Sequence, residues 1–181
     1  MQIHGLQKMT LLDFPGKVAC TVFLVGCDFR CQYCHNFELV DGTAAPIMED
    51  EEFFAFLEKR KGILDGVCVT GGEPCLRGDL PDFIRKIKSL GFKVKLDTNG
   101  NHPDMVKELL EEELIDYVAM DIKNSPEKYS MTVGLLPDMM IYCSEHEMEC
   151  LQGKSTNHNP LKLEHNIDSK VLDNPSAYAK R

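Results

Sequence analysis

Short buried strands alternate with amphipathic helices through the first two thirds of the chain, and this alternation limits the possible fold more than any other feature. Apolar and β-branched runs predict four strands, over residues 17–25, 66–70, 92–96 and 115–122. Apolar residues at helical spacing predict helices between them, over 50–60, over 80–90 and from Pro103 onward. Strands that alternate with helices in this way indicate an α/β fold with a parallel sheet.

The helix over 80–90 has the clearest predicted boundaries. Its apolar residues recur at helical spacing from Leu80 to Leu90. Asp79 stands where an N-cap is expected, and Gly91 stands where helices commonly end. The strand that follows, 92–96, alternates lysine with apolar residues, which predicts one buried face and one wetter face.

Length and charge exclude several classes of protein. The 181 residues are enough for one domain with an appendage. The formal net charge of −9 argues against broad electrostatic binding to nucleic acid or to an anionic membrane. The longest apolar run, 18–26, is far shorter than the roughly 20 residues that span a bilayer. Because no charged segment followed by an apolar one opens the chain, we expect no secretory signal and a cytoplasmic location.

Three of the eight cysteines stand together directly after the first predicted strand. Cys27, Cys31 and Cys34 are spaced four and three residues apart. Disulfides are rare in a reduced compartment, so clustered thiols there indicate metal binding or catalysis. Thiolates are soft ligands that can hold an iron–sulfur cube. Three protein ligands on four irons leave one iron open, and an open position makes a metal site reactive.

Two other interpretations of the cysteines stay open. A structural zinc ion would need a fourth ligand, for which the sequence offers His35, Cys68, Cys75, Cys143 and Cys150. Incidental packing is expected for Cys20 and Cys68, which lie inside predicted strands, and is favoured for Cys75. Cys143 and Cys150 flank His146, but their separation of seven residues is wider than that of ordinary zinc ligand pairs.

Three further motifs stand at predicted strand ends, one after each later strand: Gly71-Gly72-Glu73-Pro74, Asp97-Thr98-Asn99-Gly100 and Asp121-Ile122-Lys123. Taken singly, the first two are turn sequences and the third is an exposed ion pair. Together with the cysteines, they place polar residues at the carboxyl ends of four consecutive strands. Ligands of parallel α/β folds bind at such strand ends.

The segment CDFRCQYCHN, residues 27–36, resembles the CxxxCxxC signature of the radical S-adenosylmethionine (SAM) enzymes. The wider stretch 10–36 is similar to the glycyl-radical-enzyme activating proteins, and within these most similar to the activating proteins of anaerobic ribonucleoside-triphosphate reductase. The resemblance covers roughly residues 3–134. It implies a partial (β/α) barrel with a [4Fe–4S] cluster on the three cysteines and SAM at the open iron.

The resemblance also assigns the strand-end residues to the SAM site. It implies that residues 71–74 meet the amino group of SAM, with the Glu73 carboxylate facing an ammonium. It implies that Asp97, Thr98 and Asn99 line the same site. The glycines of the first motif would let the backbone approach the ligand closely.

The remaining assignments rest on the same resemblance. Asp121 is expected to line the SAM site and, together with Asp97, to bind a monovalent cation there. Lys123 is expected to face the SAM carboxylate or ribose. Tyr33 and His35 resemble the residues that pack around the adenine.

The resemblance implies a redox enzyme that acts on another protein. One electron, from a donor such as flavodoxin or ferredoxin, breaks the C5′–S bond of SAM to give methionine and a 5′-deoxyadenosyl radical. That radical removes a hydrogen atom from a glycine Cα of the partner, which the resemblance identifies as anaerobic ribonucleoside-triphosphate reductase. Two alternatives stay open: a radical SAM enzyme for a small molecule, and a truncated, non-catalytic iron–sulfur protein.

The regular pattern ends near residue 135. Beyond it the chain has few apolar residues and several asparagines and prolines, and it departs from the family pattern. We therefore predict a radical SAM core over 1–134, truncated to about four βα units, and an irregular, loosely ordered tail over 135–181.

Overall fold

The computed structural model describes residues 1–134 of the chain. Within these residues the strands are β1 (Gln2–Ile3), β2 (Gly5–Thr10), β3 (Ala19–Leu24), β4 (Met48–Glu49), β5 (Gly66–Gly71), β6 (Lys93–Thr98) and β7 (Tyr117–Met120). The α-helices are α1 (Phe37–Val40), α2 (Asp50–Glu58), α3 (Leu80–Ser89), α4 (Pro103–Glu111) and α5 (Pro126–Val133), and Pro74–Leu76 form one 3-10 turn. The predicted tail, with Cys143 and Cys150, lies outside the described residues.

A five-stranded sheet in the order β2-β3-β5-β6-β7 forms the centre of the fold. β3, β5, β6 and β7 run parallel, and each is the neighbour of the next along the chain. β2 lies antiparallel to β3 at one edge, while β1 and β4 pair in a separate small sheet. The predicted α/β class with four parallel strands is confirmed.

Strand β2 is the main element that the sequence pattern does not predict. Three consecutive residues, Gln7 to Met9, are exposed, and Thr10 is its one buried residue. Its pairing with β3 is also irregular between Gln7 and Thr10. An edge strand of this kind is defined by its backbone pairing rather than by burial, so periodicity does not reveal it.

The main hydrophobic core lies between one face of the sheet and helices α2, α3 and α4. Strand side chains that point to this face alternate with those that point away, as the period of two requires. Buried residues shared by the strands and helices make up this core, among them Cys20, Val22, Leu24, Phe53, Leu57, Val67, Val69, Ile84, Ile87, Val94, Leu96 and Leu109. No helix within residues 1–134 combines the length and apolar character needed to cross a bilayer.

The predicted boundaries of α3 and β6 agree with the structure except in two details. Gly91 follows α3 with φ of +92°, a conformation that suits glycine. Asp79 occupies the N-cap position but makes no capping hydrogen bond, and its carboxylate accepts from Arg77 at 3.1 Å. Asp79 is thus the N-cap residue, as predicted, without a side-chain cap. β6 continues to Thr98, beyond the predicted strand, so the first two residues of its strand-end motif lie within the strand.

A partly buried carboxylate joins three elements at the start of the last two parallel strands. Asp116, just before β7, accepts from Lys88 Nζ at 2.7 Å and from Lys93 Nζ at 3.0 Å. It also accepts from the backbone N–H of Val94 at 2.8 Å. Burial alone would raise the pKa of Asp116, but these donors outweigh burial and hold it below its ordinary value.

We expect Asp116→Ala to lower the free energy of unfolding by about 1–2 kcal/mol at pH 7, since it removes three donors' common acceptor. The folded-state pKa lies below the unfolded value, so this stabilisation is present above about pH 4 and fades as the pH falls further. Urea titrations of both proteins at pH 7 and pH 3.5 measure the difference. Asp82→Ala, at an exposed aspartate of α3, is the control. An equal loss of unfolding free energy at both pH values would contradict this account.

Candidate functional site

The carboxyl ends of the four parallel strands lie along one edge of the sheet. β3 and β5 end together, because Leu24 pairs with Gly71. β6 and β7 also end together, because Thr98 pairs with Met120. The segment after β3, residues 25–34, is called the cysteine loop below. The fold thus brings the four predicted motifs to one edge.

Helix α5 packs against the cysteine loop and helps to shape it. Phe29 is buried against Tyr129 of α5, with ring centres 6.1 Å apart, and against Val133. The backbone N–H of Arg30 donates to the Val133 carbonyl at 2.7 Å. The same packed group of side chains contains all three predicted cluster ligands, Cys27, Cys31 and Cys34.

The three thiols fit an iron–sulfur cube. All are free of disulfides; Cys31 is buried, whereas Cys27 and Cys34 are partly exposed. Burial raises the pKa of Cys27 to about 11 and also raises that of Cys31, so both thiols hold their protons until metal displaces them. In the described part of the chain, no three histidine, cysteine or carboxylate side chains converge on a single metal ion. A cube binds each thiolate through a different iron and needs no such convergence.

Gly71 and Gly72 allow β5 to end against the backbone of β3. A Cβ added at Gly71 would lie 2.2 Å from the Leu24 carbonyl oxygen, and one at Gly72 would lie 2.0 Å from that of Gly26. Gly71 also has φ of +128°, which other residues rarely adopt. These two glycines therefore let the end of β5 lie close to the backbone of β3 and of the cysteine loop.

Glu73 points into the protein and ties β5 to β6. The residue is 1% exposed. One carboxylate oxygen accepts from the Cys75 N–H at 2.9 Å and from the Thr98 hydroxyl at 2.8 Å, and the other accepts from the Asn99 N–H at 2.6 Å. Burial raises the pKa of Glu73, although these donors oppose the rise. In this structure the carboxylate meets protein donors, and its visible role is to hold two strand ends together.

Asp28 is a candidate site residue that the sequence does not predict. Its carboxylate lies 2.8 Å from Asn99 Nδ2 and 3.1 Å from His102 Nε2, and it also accepts from the Asn101 amide. Burial alone would raise the pKa of Asp28, but the bonds to His102, Asn101 and Asn99 lower it to about 2. An acid next to the first motif cysteine, and an Asn-x-Asn-His run after β6, are the sequence signals for this contact.

The predicted residues at the end of β6 point in three directions. Thr98 donates to the buried carboxylate described above. The Asn99 amide lies 4.0 Å from Cys27 Sγ and so reaches the cysteine loop. Asp97 is bonded to Lys95 of the same strand. Of these three side chains, that of Asn99 contacts a predicted cluster ligand.

Tyr33 links the cysteine loop to the end of β7. Its hydroxyl is 3.5 Å from the Lys123 carbonyl oxygen, and the Lys123 ammonium donates to Asp121 at 2.7 Å. Burial alone would lower the pKa of Lys123, but the Asp121 carboxylate outweighs burial and raises it. The predicted residues of the first and fourth strand ends are therefore brought together.

His35 lies at a different place from Tyr33. It lines a pocket of about 480 Å³ with residues of the N-terminal strands and of α1, including His4, Phe23 and Phe37. His35 is the one predicted site residue among those that line this pocket.

Comparison with known proteins identifies relatives of the chain. The family model described as the radical SAM superfamily matches residues 21–151. A protein of Methanocaldococcus jannaschii, whose name assigns it to the glycyl-radical enzyme activating enzymes, is 36% identical over 75% of this chain and 56% of its own. The pyruvate formate-lyase-activating enzyme of Clostridium pasteurianum is 33% identical over 68% of this chain and 52% of its own. The chain thus spans a little over half the length of these curated relatives.

Solved structures share the fold at lower identity. Streptococcus suis SuiB bound to S-adenosylmethionine gives a TM-score of 0.51 at 19% identity, over 70% of this chain and 30% of that one. The protein anSMEcpe with bound AdoMet gives a TM-score of 0.50 at 22% identity, over 71% of this chain and 40% of that one. These likenesses support the predicted partial-barrel fold class.

We expect Gly72→Ala to lower the free energy of unfolding by about 1–3 kcal/mol, because its Cβ would collide with the Gly26 carbonyl oxygen. Gly78→Ala is the matched control, since a Cβ there meets no atom within 4 Å, and its effect should stay within about 0.5 kcal/mol. Urea unfolding measures both. Equal stability of the two variants would show that the strand ends do not need the close approach.

We expect Asp28→Ala to loosen the cysteine loop from the turn after β6. If iron is bound by this loop, a chelator should remove it about 10-fold faster or more from the variant, as for other residues that orient metal ligands. Asp104→Ala, at an exposed acid of α4, keeps the same change of charge and should leave iron loss unchanged. Iron content is followed by absorbance after anaerobic reconstitution. Identical rates in all three proteins would remove Asp28 from the site.

Proposed function

The chain belongs to the radical SAM superfamily, and from that membership we propose that it cleaves SAM reductively and generates a glycyl radical on a partner enzyme. The observation that carries the proposal is the cysteine loop, in which three free thiols share one packed group at a strand end. The activating enzymes among the curated relatives support a protein glycine as the target.

The proposed cluster ligands are Cys27, Cys31 and Cys34. When bound there, a [4Fe–4S] cluster supplies the single electron that breaks the C5′–S bond of SAM. SAM then yields methionine and a 5′-deoxyadenosyl radical. That radical takes a hydrogen atom from the glycine Cα, which leaves 5′-deoxyadenosine and the glycyl radical. A donor such as flavodoxin or ferredoxin is proposed to replace the electron.

SAM is proposed to lie along the strand-end edge, beside the cysteine loop. The residues proposed to line it are Tyr33, Gly71, Gly72, Glu73, Pro74, Asp97, Thr98, Asn99, Asp121 and Lys123; His35, predicted with them, instead lines the pocket beside α1. Because the Glu73 carboxylate is bonded to protein donors, backbone groups of residues 71–74 are the better candidates for the SAM amino group. Lys123, at the far end of the edge, is the cation suited to the SAM carboxylate or ribose.

The reactive radical must be generated close to its target, since bulk solvent and other side chains would consume it. The partner's glycine loop is therefore proposed to enter the site, which supplies proximity and excludes water. Residues 1–134 are proposed as the radical SAM core that forms this site, and 135–181 as a separate tail.

The finer proposal concerns the partner. Resemblance of residues 10–36 supports anaerobic ribonucleoside-triphosphate reductase. Several of the curated relatives, among them those of Clostridium pasteurianum and Escherichia coli K12, are instead named as activating enzymes of pyruvate formate-lyase. Both reductase and lyase are therefore needed as substrates in the test.

The test is the yield of 5′-deoxyadenosine from the whole chain, reconstituted anaerobically with iron and sulfide and supplied with SAM and dithionite. We expect turnover in the wild type and none in Cys31→Ala. Cys20→Ala is the control, because Cys20 is buried in the helix-side core away from the loop, and it should retain iron and turnover. About four bound irons without SAM cleavage would sink the catalytic proposal. Binding of zinc in place of iron would also contradict the proposed iron–sulfur cluster.

A glycyl radical on the partner is then sought by electron paramagnetic resonance. We expect the doublet of a carbon-centred radical when reductase is added, and none with Cys31→Ala. A signal with pyruvate formate-lyase alone would keep the activase proposal and replace its partner. SAM cleavage without a signal from either enzyme would favour a small-molecule substrate.

A further inference from the structure

A row of polar side chains crosses the face of the sheet opposite to helices α2–α4. Thr21, Cys68 and Lys95 are neighbours on adjacent parallel strands, and Tyr117 continues the row on β7. The Lys95 side chain is only 9% exposed. A buried ammonium is costly without a partner, so the surroundings of Lys95 must compensate its charge.

Asp97 supplies that compensation. One of its carboxylate oxygens is bonded to the Lys95 ammonium, and the other accepts from the Cys68 thiol at 3.3 Å. The ammonium also lies 3.8 Å from Cys68 Sγ and 5.9 Å from the centre of the Tyr117 ring. Both oxygens of Asp97 therefore have donors from this chain.

A second carboxylate faces the same cluster. Asp13, in the connection between β2 and β3, accepts from the Thr21 hydroxyl at 2.5 Å. Burial alone would lower the pKa of Lys95, but Asp97, Cys68 and Asp13 outweigh burial and raise it. Lys95 is thus held as a cation on a buried face.

These contacts disagree with the monovalent cation that the family resemblance implies at Asp97 and Asp121. A hard cation needs several oxygen ligands. Asp97 already has donors at both oxygens, and Asp121 is bonded to the Lys123 ammonium at 2.7 Å. Each carboxylate thus already has a lysine ammonium of this chain beside it. An added cation would have to share the carboxylate with that positive charge, so the residues do not fit an added ion.

We propose that the Lys95 ammonium is the cation of the Asp97 carboxylate in this chain, and that no added K⁺ or Na⁺ binds there. A lysine placed two residues away on the same strand is present at every salt concentration, unlike an ion that must be bound from solution. The proposal depends on the proposed function only for the nearness of SAM. Its primary readout is cation binding by the protein.

The first test uses Tl⁺, a monovalent ion whose NMR signal broadens on binding, with the reconstituted whole chain. In the wild type we expect no saturable broadening of the Tl⁺ signal of the kind that Asp97→Asn would abolish. Saturable binding that is lost in Asp97→Asn would overturn the proposal. This measurement does not require a lysine variant to fold.

The second test removes the lysine. Melting temperatures are compared in KCl and in choline chloride at equal ionic strength. The wild type should differ by no more than about 1 °C, whereas Lys95→Met should be less stable and gain about 2 °C or more from K⁺. Lys93→Met, on the same strand but paired with Asp116, should show no gain. A K⁺ effect in the wild type, or none in Lys95→Met, would count against the proposal.

SAM cleavage separates this inference from the proposed function. If the wild type cleaves SAM, its rate should be the same within about twofold in KCl and choline chloride. A rate that depends on K⁺ would overturn the inference and leave the enzyme assignment standing. No cleavage in either salt would sink the enzyme assignment, while the thallium and melting results would still decide the inference.

Discussion

Three hydrogen bonds converge on the buried Glu73 carboxylate, and they hold the ends of β5 and β6 at the spacing on which the strand-end site depends. Asn99 carries this connection further, because its backbone bonds to Glu73 and its side chain bonds to Asp28. Three parallel strand ends are thereby cross-linked through side chains. Loss of the Glu73 carboxylate would leave three donors without their acceptor, which costs more than the bonds themselves contribute. A buried network of this kind, with every group bonded, fixes one geometry of the strand ends.

The sheet separates packing from chemistry by the direction of its side chains. Along β6, Val94 and Leu96 point to the helices and fill the core. Lys95 and Asp97 point to the opposite face and compensate each other's charge. The period of two makes both arrangements possible in one short strand. The helix-side face is thus packed with apolar residues. The other face carries charges that are compensated by partners from this chain.

Apolar periodicity predicts the strands and helices whose side chains are buried at regular intervals, and it predicts little else of the structure. The four parallel strands and helices α2, α3 and α4 follow from apolar spacing alone, since each contributes regularly spaced side chains to the core. The strand-end motifs also come together as expected, because parallel strands share an edge. Side-chain direction is a different matter. The alternating lysines of β6 predict a wetter face, yet Lys95 is buried there beside Asp97. Likewise, nothing in a glutamate after two glycines shows that it turns inward.

Charge is distributed unequally along the cysteine loop, and this asymmetry bears on how the loop takes up a metal centre. At Cys27, the carboxylates of Asp28 and Glu73 add to burial in raising the thiol pKa. At Cys31, burial also raises the pKa, but Lys123 opposes it. The carboxylates that disfavour a bare thiolate at Cys27 favour positive charge there. Because metal binding releases the thiol proton and brings positive charge, iron bound at Cys27 would relieve this repulsion. Donors from the turn after β6 hold the Asp28 carboxylate, which lies 3.9 Å from Cys27 Sγ, so the fold itself keeps this negative charge beside the first cysteine.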